Sequence, residues 1–313
     1  MTRPLIIYVP GLLPKPSHEL HRDALLRCLL AGLRRIDVPV ADSIAARSAN
    51  FDVVSWTYDF YCEHRDYELD RAAIEAVISQ AAPGSRDIAE ASTWLRRLTR
   101  LVYQLGDVLP FLIPHLANER MEVHLRDLLR YERNSNDIGN HVRRMLKVPL
   151  LAASGAGRPV LLIGHSMGSV LAYDALWELS HDHGNPVEID LFLTMGSPLG
   201  QRFIQQRLKG NDRNGKDRYP RNIRNWKNLT AIGDLTAIDP TLADDFAAMS
   251  KLGLVQSIED DELYNYFRLD GELNVHAEYG YLANEKTAHT IAKWWRGVVS
   301  DLAGETRSGP GSA

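Results

Sequence analysis

Ser166 stands at the centre of Gly164-His165-Ser166-Met167-Gly168, a G-x-S-x-G spacing that fits a serine nucleophile. A hydroxyl attacks a carbonyl carbon only when a neighbouring base takes its proton and nearby donors receive the negative charge that develops on oxygen. The pentapeptide follows the apolar run Val160-Leu161-Leu162-Ile163 and precedes Val170-Leu171-Ala172-Tyr173-Asp174-Ala175-Leu176-Trp177. Strand, tight turn and helix in that order are the context of a nucleophile elbow. There the flanking glycines let the backbone pass close to its neighbours, and the strained turn pushes the serine hydroxyl into the open. The bland alternative is a serine in an ordinary strand-to-helix loop.

Two other groupings resemble chemistry and are read as surface. Gly210-Asn211-Asp212-Arg213-Asn214-Gly215-Lys216-Asp217 has the glycines and lysine of a phosphate loop. It carries aspartate where Ser/Thr is needed, and no apolar strand leads into it. The basic residues around it, from Arg207 to Arg224, are diluted by Asp212 and Asp217, which weakens any field toward an anion. His181-Asp182-His183 resembles a metal pair but falls where the helix after Ser166 should end, so a solvated cap or turn is expected. No metal or organic cofactor is expected.

The elements that must carry Ser166 are readable from the apolar runs. Leu5 to Val9, Asp52 to Trp56, Val160 to Ile163, Asp190 to Met195, Asn228 to Ile232 and Tyr264 to Leu269 are mostly continuous rather than alternating. That pattern belongs to strands covered on both faces. Helical periodicity between them, at His18 to Leu33, Ser169 to Leu179 and Thr287 to Leu302, predicts an α/β fold: a mostly parallel sheet of about six strands flanked by helices.

Composition bounds the partners. The chain has 313 residues, 45% hydrophobic content and a formal net charge of -4, so no global field attracts nucleic acid. Cys28 and Cys62 are the two cysteines, too few and too far apart for a disulfide framework or a metal site. Residues 5–9 are interrupted by Pro10-Gly11, and no small-residue cleavage site follows. They read as a buried strand rather than a secretion signal. No apolar run is long enough to cross a bilayer. The expectation is a cytoplasmic protein with a disordered tail over 304–313.

With the elbow in its strand-helix context, the chain resembles the α/β-hydrolase family over most of its length, apart from residues 70–146 and the tail. The resemblance implies one hydrolase domain over 1–303 that lacks the family's first two strands. In that register Leu5 to Val9 is the third strand and Val160 to Ile163 the fifth. Asp190 to Met195, Asn228 to Ile232 and Tyr264 to Leu269 follow as the sixth, seventh and eighth. The family's order of serine, acid and histidine then implies an acid after the seventh strand and a histidine after the eighth.

Asp234 directly follows Asn228 to Ile232 and Gly233, and is the chosen acid. Asp239 precedes Pro240 and suits a turn or cap; Asp190 and Asp270 are more distant options. Among eleven histidines the register selects His276. Its rival His289 lies about 200° around a helix from the apolar face begun by Ile291, so it should be solvated. Leu12 and Met167 are implied as backbone donors to the oxyanion, although Pro10 stands where many relatives carry histidine.

The segment 70–146 is read as a helical insert or cap. Trp94, Leu95, Leu98, Leu101, Val102, Leu105, Val108, Leu109 and Leu112 recur near helical period, with Arg96, Arg97 and Arg100 between them and breaks at Pro110 and Pro114. Such a stripe packs on the protein's own core, covers a site, or rests on a membrane surface. The whole resemblance implies a serine hydrolase of the esterase or lipase type, acting without cofactor on a small-molecule ester, thioester or lipid-like substrate. An acyltransferase using the same three residues and a catalytically silent binding module are the alternatives. Oligomeric state is not legible in the sequence.

Overall fold

The computed structural model describes residues 3–93, 119–181, 187–237 and 239–307. Six strands form one all-parallel sheet: β1 (Leu5–Val9), β2 (Phe51–Val53), β3 (Val160–His165), β4 (Ile189–Met195), β5 (Ile223–Ala231) and β6 (Ser257–Leu263). Their spatial order is β2-β1-β3-β4-β5-β6. Beyond the sheet, β7 (Arg268–Leu269) and β8 (Glu272–Leu273) make a short antiparallel hairpin. The longer helices are α1 (His18–Ile36), α2 (Val38–Ala45), α3 (Trp56–Tyr61), α4 (Glu68–Ser79), α5 (Ser85–Ala91), α6 (Glu119–Glu132), α7 (Ile138–Gly155), α8 (Met167–His181), α9 (Glu278–Ala283) and α10 (Glu285–Arg307).

The apolar strands feed two cores at once. Ile6, Tyr8, Leu161, Ile163 and Leu193 pack under α1, α2, α4, α9 and α10. Leu5, Ile7, Val9, Leu162 and Phe192 pack under α3, α6, α7 and α8. Each buried Leu, Ile, Val or Phe contributes about 1.5–3 kcal/mol of transfer free energy. A polar residue on either face of these central strands would forfeit that, which is why the runs are continuous.

The chain leaves β1 to one side to make β2 and returns to the other side to make β3. The carboxyl ends of β1 and β3 therefore diverge at a topological switch point, where open α/β sheets present a crevice. Leu12 follows β1 and Ser166 follows β3, so both sit at that crevice.

Several expected boundaries change. Tyr264 to Leu269 is not a sheet strand; the sixth strand is Ser257–Leu263, whose acidic sequence Ser-Ile-Glu-Asp-Asp-Glu-Leu lacks an apolar run. It is the sheet edge, and an exposed edge tolerates and profits from charge, which blocks pairing with other chains. Asp260 turns inward there to accept N–H groups from Leu242 and Ala243, each at 2.9 Å. Asp52 to Trp56 shortens to Phe51–Val53, because Trp56 already opens α3.

The described parts of the 70–146 segment belong to the body of the molecule. Asp70 lies inside α4, whose Ile74 and Val77 join the first core, and Leu146 lies inside α7, the crossover helix that buries Val142, Leu146 and Leu150 against the sheet. The arginine-laced stripe from Trp94 to Leu112, with Pro110 and Pro114, lies outside the described residues. Residues 304–307, expected as the start of a tail, belong to α10, which continues through Arg307, since a single Gly304 does not end a helix when no proline follows until Pro310. Residues 308–313 lie outside the described residues. Leu146→Ala is expected to cost about 2–5 kcal/mol in urea denaturation; a cost under about 1 kcal/mol would mean that α7 does not seal the sheet.

Candidate active site

Ser166 adopts φ 52°, a left-handed conformation that is strained for any residue with a side chain. Its N–H donates to Met195 O at 2.9 Å, and its carbonyl accepts from Ser169 N at 3.0 Å and Ser169 Oγ at 2.6 Å. The strained residue is thus held from both sides. A Cβ on Gly164 would lie 2.6 Å from Ser169 Cα, and one on Gly168 would collide with the carbonyl oxygens of Val9 and Pro10. The glycines allow the turn to fold onto the end of β1.

The loop after β1 is fixed by two rings. Trp56, fully buried, donates Nε1–H to Pro10 O at 2.8 Å. Leu13, at φ 74°, donates its N–H to Tyr61 Oη at 3.2 Å, and Tyr61 donates in turn to Asp127 Oδ2 at 2.8 Å. Pro10 therefore does not disturb the loop, because its carbonyl serves as the anchor. Gly11 runs against Ser166; a Cβ there would lie 2.7 Å from Ser166 Cβ. Among the described residues the N–H groups of Leu12 and Met167 donate to no acceptor. They are the two groups expected to receive an oxyanion.

Asp234 and His276 come together across 42 residues of chain. Asp234 Oδ2 accepts His276 Nδ1–H at 2.8 Å and Tyr281 Oη–H at 2.8 Å, while Oδ1 accepts Thr236 N–H at 2.9 Å. The carboxylate is 2% exposed. Burial alone would raise its pKa, but the charge and hydrogen bond of His276, followed by Tyr281 and the Thr236 N–H, hold it below the ordinary 3.8. With the proton on Nδ1, His276 keeps Nε2 bare as an acceptor. The other carboxylates are elsewhere: Asp239 caps Thr241, Asp190 pairs with Arg224 and Val160 N–H, and Asp270 occupies a hairpin turn. His289 pairs with Glu285 on an exposed helix face.

The His276 ring lies 4.8 Å, centroid to centroid, from His165, the residue before Ser166. Among the described residues the Ser166 hydroxyl and His276 Nε2 make no hydrogen bond. In unliganded sites this bond is often long and tightens only with substrate. His165 is buried, and desolvation, followed by the charge of His276, depresses its pKa to about 3. It is neutral and donates Nε2–H to the His276 carbonyl at 2.9 Å.

Sequence patterns gave no sign of Tyr281, Tyr61 or Trp56, because each reaches the site by a side chain whose partner is fixed only in three dimensions. The basic residues between Arg207 and Arg224 are largely spent internally: Arg207 on Glu132, Lys209 on Glu178, Arg221 on Asp217 and Arg224 on Glu188. Among the described residues, no group of three or more His, Cys, Asp or Glu could hold a metal ion, and no helix is long and apolar enough to cross a membrane. Comparison of the chain with protein-family models, curated proteins and solved structures finds no match.

Tyr281→Phe is expected to cost about 1–3 kcal/mol in urea denaturation at pH 7, because it strips a donor from Asp234 and leaves the Ala231 N–H, 2.7 Å from Tyr281 Oη, without its acceptor. Asp234 titrates lower in the folded chain than unfolded, so it stabilises above the unfolded value near 3.8 and that contribution disappears as pH falls through the folded value. The difference in unfolding midpoint between wild type and Asp234→Asn should accordingly shrink below about pH 4; a difference that grows on acidification would refute the depressed value.

Proposed function

We propose that this protein is a serine hydrolase of the α/β-hydrolase type that cleaves a carboxylic ester or thioester through an acyl-enzyme. The observation that carries the reading is the buried Asp234–His276 pair, 2.8 Å apart, beside a serine held at φ 52°. The chain order supports it too: the serine follows β3, the acid follows β5 and the histidine follows β6, the succession that the family resemblance implies.

In this mechanism His276 Nε2 takes the proton of Ser166 Oγ as that oxygen attacks the substrate carbonyl. Asp234 orients the imidazole and stabilises the imidazolium. The Leu12 and Met167 N–H groups receive the oxyanion. His276 then returns the proton to the leaving alcohol or thiol. A water activated by His276 attacks the acyl carbon, and Ser166 recovers its proton as the acid departs.

Leu13, 45% exposed beside the oxyanion donor, and Leu235, 36% exposed beside the acid, give the rim an apolar character. They support a hydrophobic acyl or alcohol group, in a small-molecule or lipid-like substrate, with contact to a membrane surface as the route to a lipid. Both cysteines are free thiols, which supports cytoplasmic residence. Nucleic acid is not proposed as a partner, in keeping with the net charge of -4.

Ser166 is only 8% exposed, which favours one second reading, a catalytically silent module on the same scaffold. Fluorophosphonate labelling read by mass spectrometry separates the two. Active protein should be modified stoichiometrically at Ser166, and Ser166→Ala or His276→Ala should lower p-nitrophenyl ester hydrolysis by about a thousandfold or more. Folded wild type that resists the probe, with and without detergent, would sink the hydrolase reading.

A further inference from the structure

A second buried carboxylate lies beneath the site and has no part in the proposed proton transfer. Glu278, 4% exposed, follows His276 by two residues and begins α9. Its Oε1 accepts Lys15 Nζ at 2.9 Å and meets His21 Nε2 at 3.0 Å. Its Oε2 accepts Tyr8 Oη–H at 3.1 Å and lies 3.9 Å from His165 Nδ1. Lys15 is 16% exposed and His21 1%, so the cluster is shielded from water.

These partners are the supports of the catalytic loops. Lys15 belongs to the loop after β1, three residues beyond Leu12. His165 is bonded through the chain to Ser166, and its Nε2–H holds the carbonyl of His276. Tyr8 lies on β1 itself. One carboxylate therefore bonds the loop of the oxyanion donor through Lys15 and the end of β1 through Tyr8, and itself belongs to the segment of the base; neutral His165, whose Nδ1 makes no hydrogen bond, only packs beside it and is tied to that segment by its own Nε2–H. A buried ion pair is weak evidence for stability, since apolar residues of similar volume often serve as well. Directional bonds of this kind do fix positions, and displacement of reacting groups by about 1 Å can cost about 100-fold in rate.

We propose that Glu278 is a positioning residue that locks the Leu12 and His276 segments into one register, to which His165 Nε2–H ties the Ser166 segment. The inference rests on the hydrolase reading for its kinetic consequence. With Glu278 in place, Leu12 N–H and His276 Nε2 are held in register with Ser166 Oγ. Without its charge, Lys15 loses its buried partner and the loop after β1 separates from the base segment.

The test is Glu278→Gln in the full chain, which keeps the volume and removes the charge. Three readouts are taken on protein verified as folded: the rate of fluorophosphonate labelling at Ser166, kcat and KM on a p-nitrophenyl ester, and backbone hydrogen exchange by mass spectrometry. The expected result is labelling and kcat reduced by about tenfold or more with KM changed less than about threefold. Faster exchange is expected in residues 10–16 and 274–278 together, with β4 unaffected.

Folded Glu278→Gln with wild-type labelling and kcat overturns the proposal, as does a change confined to KM. If that variant does not fold, Lys15→Met cuts the tie to the oxyanion loop alone and should show the same loss in kcat; folded Lys15→Met with wild-type kcat overturns the proposal. Wild type that never labels overturns the hydrolase reading instead. The exchange measurement then decides the positioning role alone: exchange rising in both segments supports it, and unchanged exchange in residues 10–16 overturns it.

Discussion

The close approach of the turn after β3 to the end of β1 is the constraint on which the site depends. Ser166 can hold a left-handed backbone only because Met195 and Ser169 bond it from both sides, the turn can sit over β1 only because Gly168 lacks a side chain, and Gly164 lets the start of α8 close back on β3. That approach packs the loop after β1 against the turn of Ser166. It falls at the switch point of the sheet, so the crevice needed for a ligand arises from strand order and not from a special loop.

Two buried carboxylates then organise the groups around that point. Asp234 is committed to His276, Tyr281 and Thr236, and these partners outweigh the cost of burying its charge. Glu278 is likewise held well below the ordinary carboxylate range: burial opposes its charge, and Lys15, then His21, more than compensate. Neutral His165 lies between the two systems and bonds the His276 carbonyl. His276 is fixed through its ring by Asp234 and through its backbone by His165. Both networks draw on residues far apart in the chain, so the site exists only once both layers of helices have packed.

Legibility in the sequence followed burial. β1, β3 and β4 read plainly because both their faces are covered and their residues are continuously apolar. β6 did not, because an edge strand is stabilised by pairing on one side while Glu259, Asp260, Asp261 and Glu262 face outward or cap a neighbouring turn. The segment Tyr264 to Leu269 misled for the converse reason. Its Tyr266 and Phe267 are buried against helices, not within the sheet. Residues 70–146 read as one insert around the helical period of Trp94 to Leu112, yet α4 and α7 belong to opposite cores; periodicity reports that a helix has an apolar face, not which surface covers it.

By itself the sequence determined the α/β alternation and the elbow around Ser166, because local backbone demands and continuous hydrophobicity are written in neighbouring residues; the candidacy of Asp234 and His276 came from the residue order that the family resemblance implies. The tertiary structure decided which carboxylate reaches His276, that Trp56 and Tyr61 anchor the loop of Leu12, and that Glu278 gathers Tyr8, Lys15 and His21 beneath the site. Those contacts join side chains separated by tens to hundreds of residues. Their partners are set by strand order and helix packing, which no local pattern encodes.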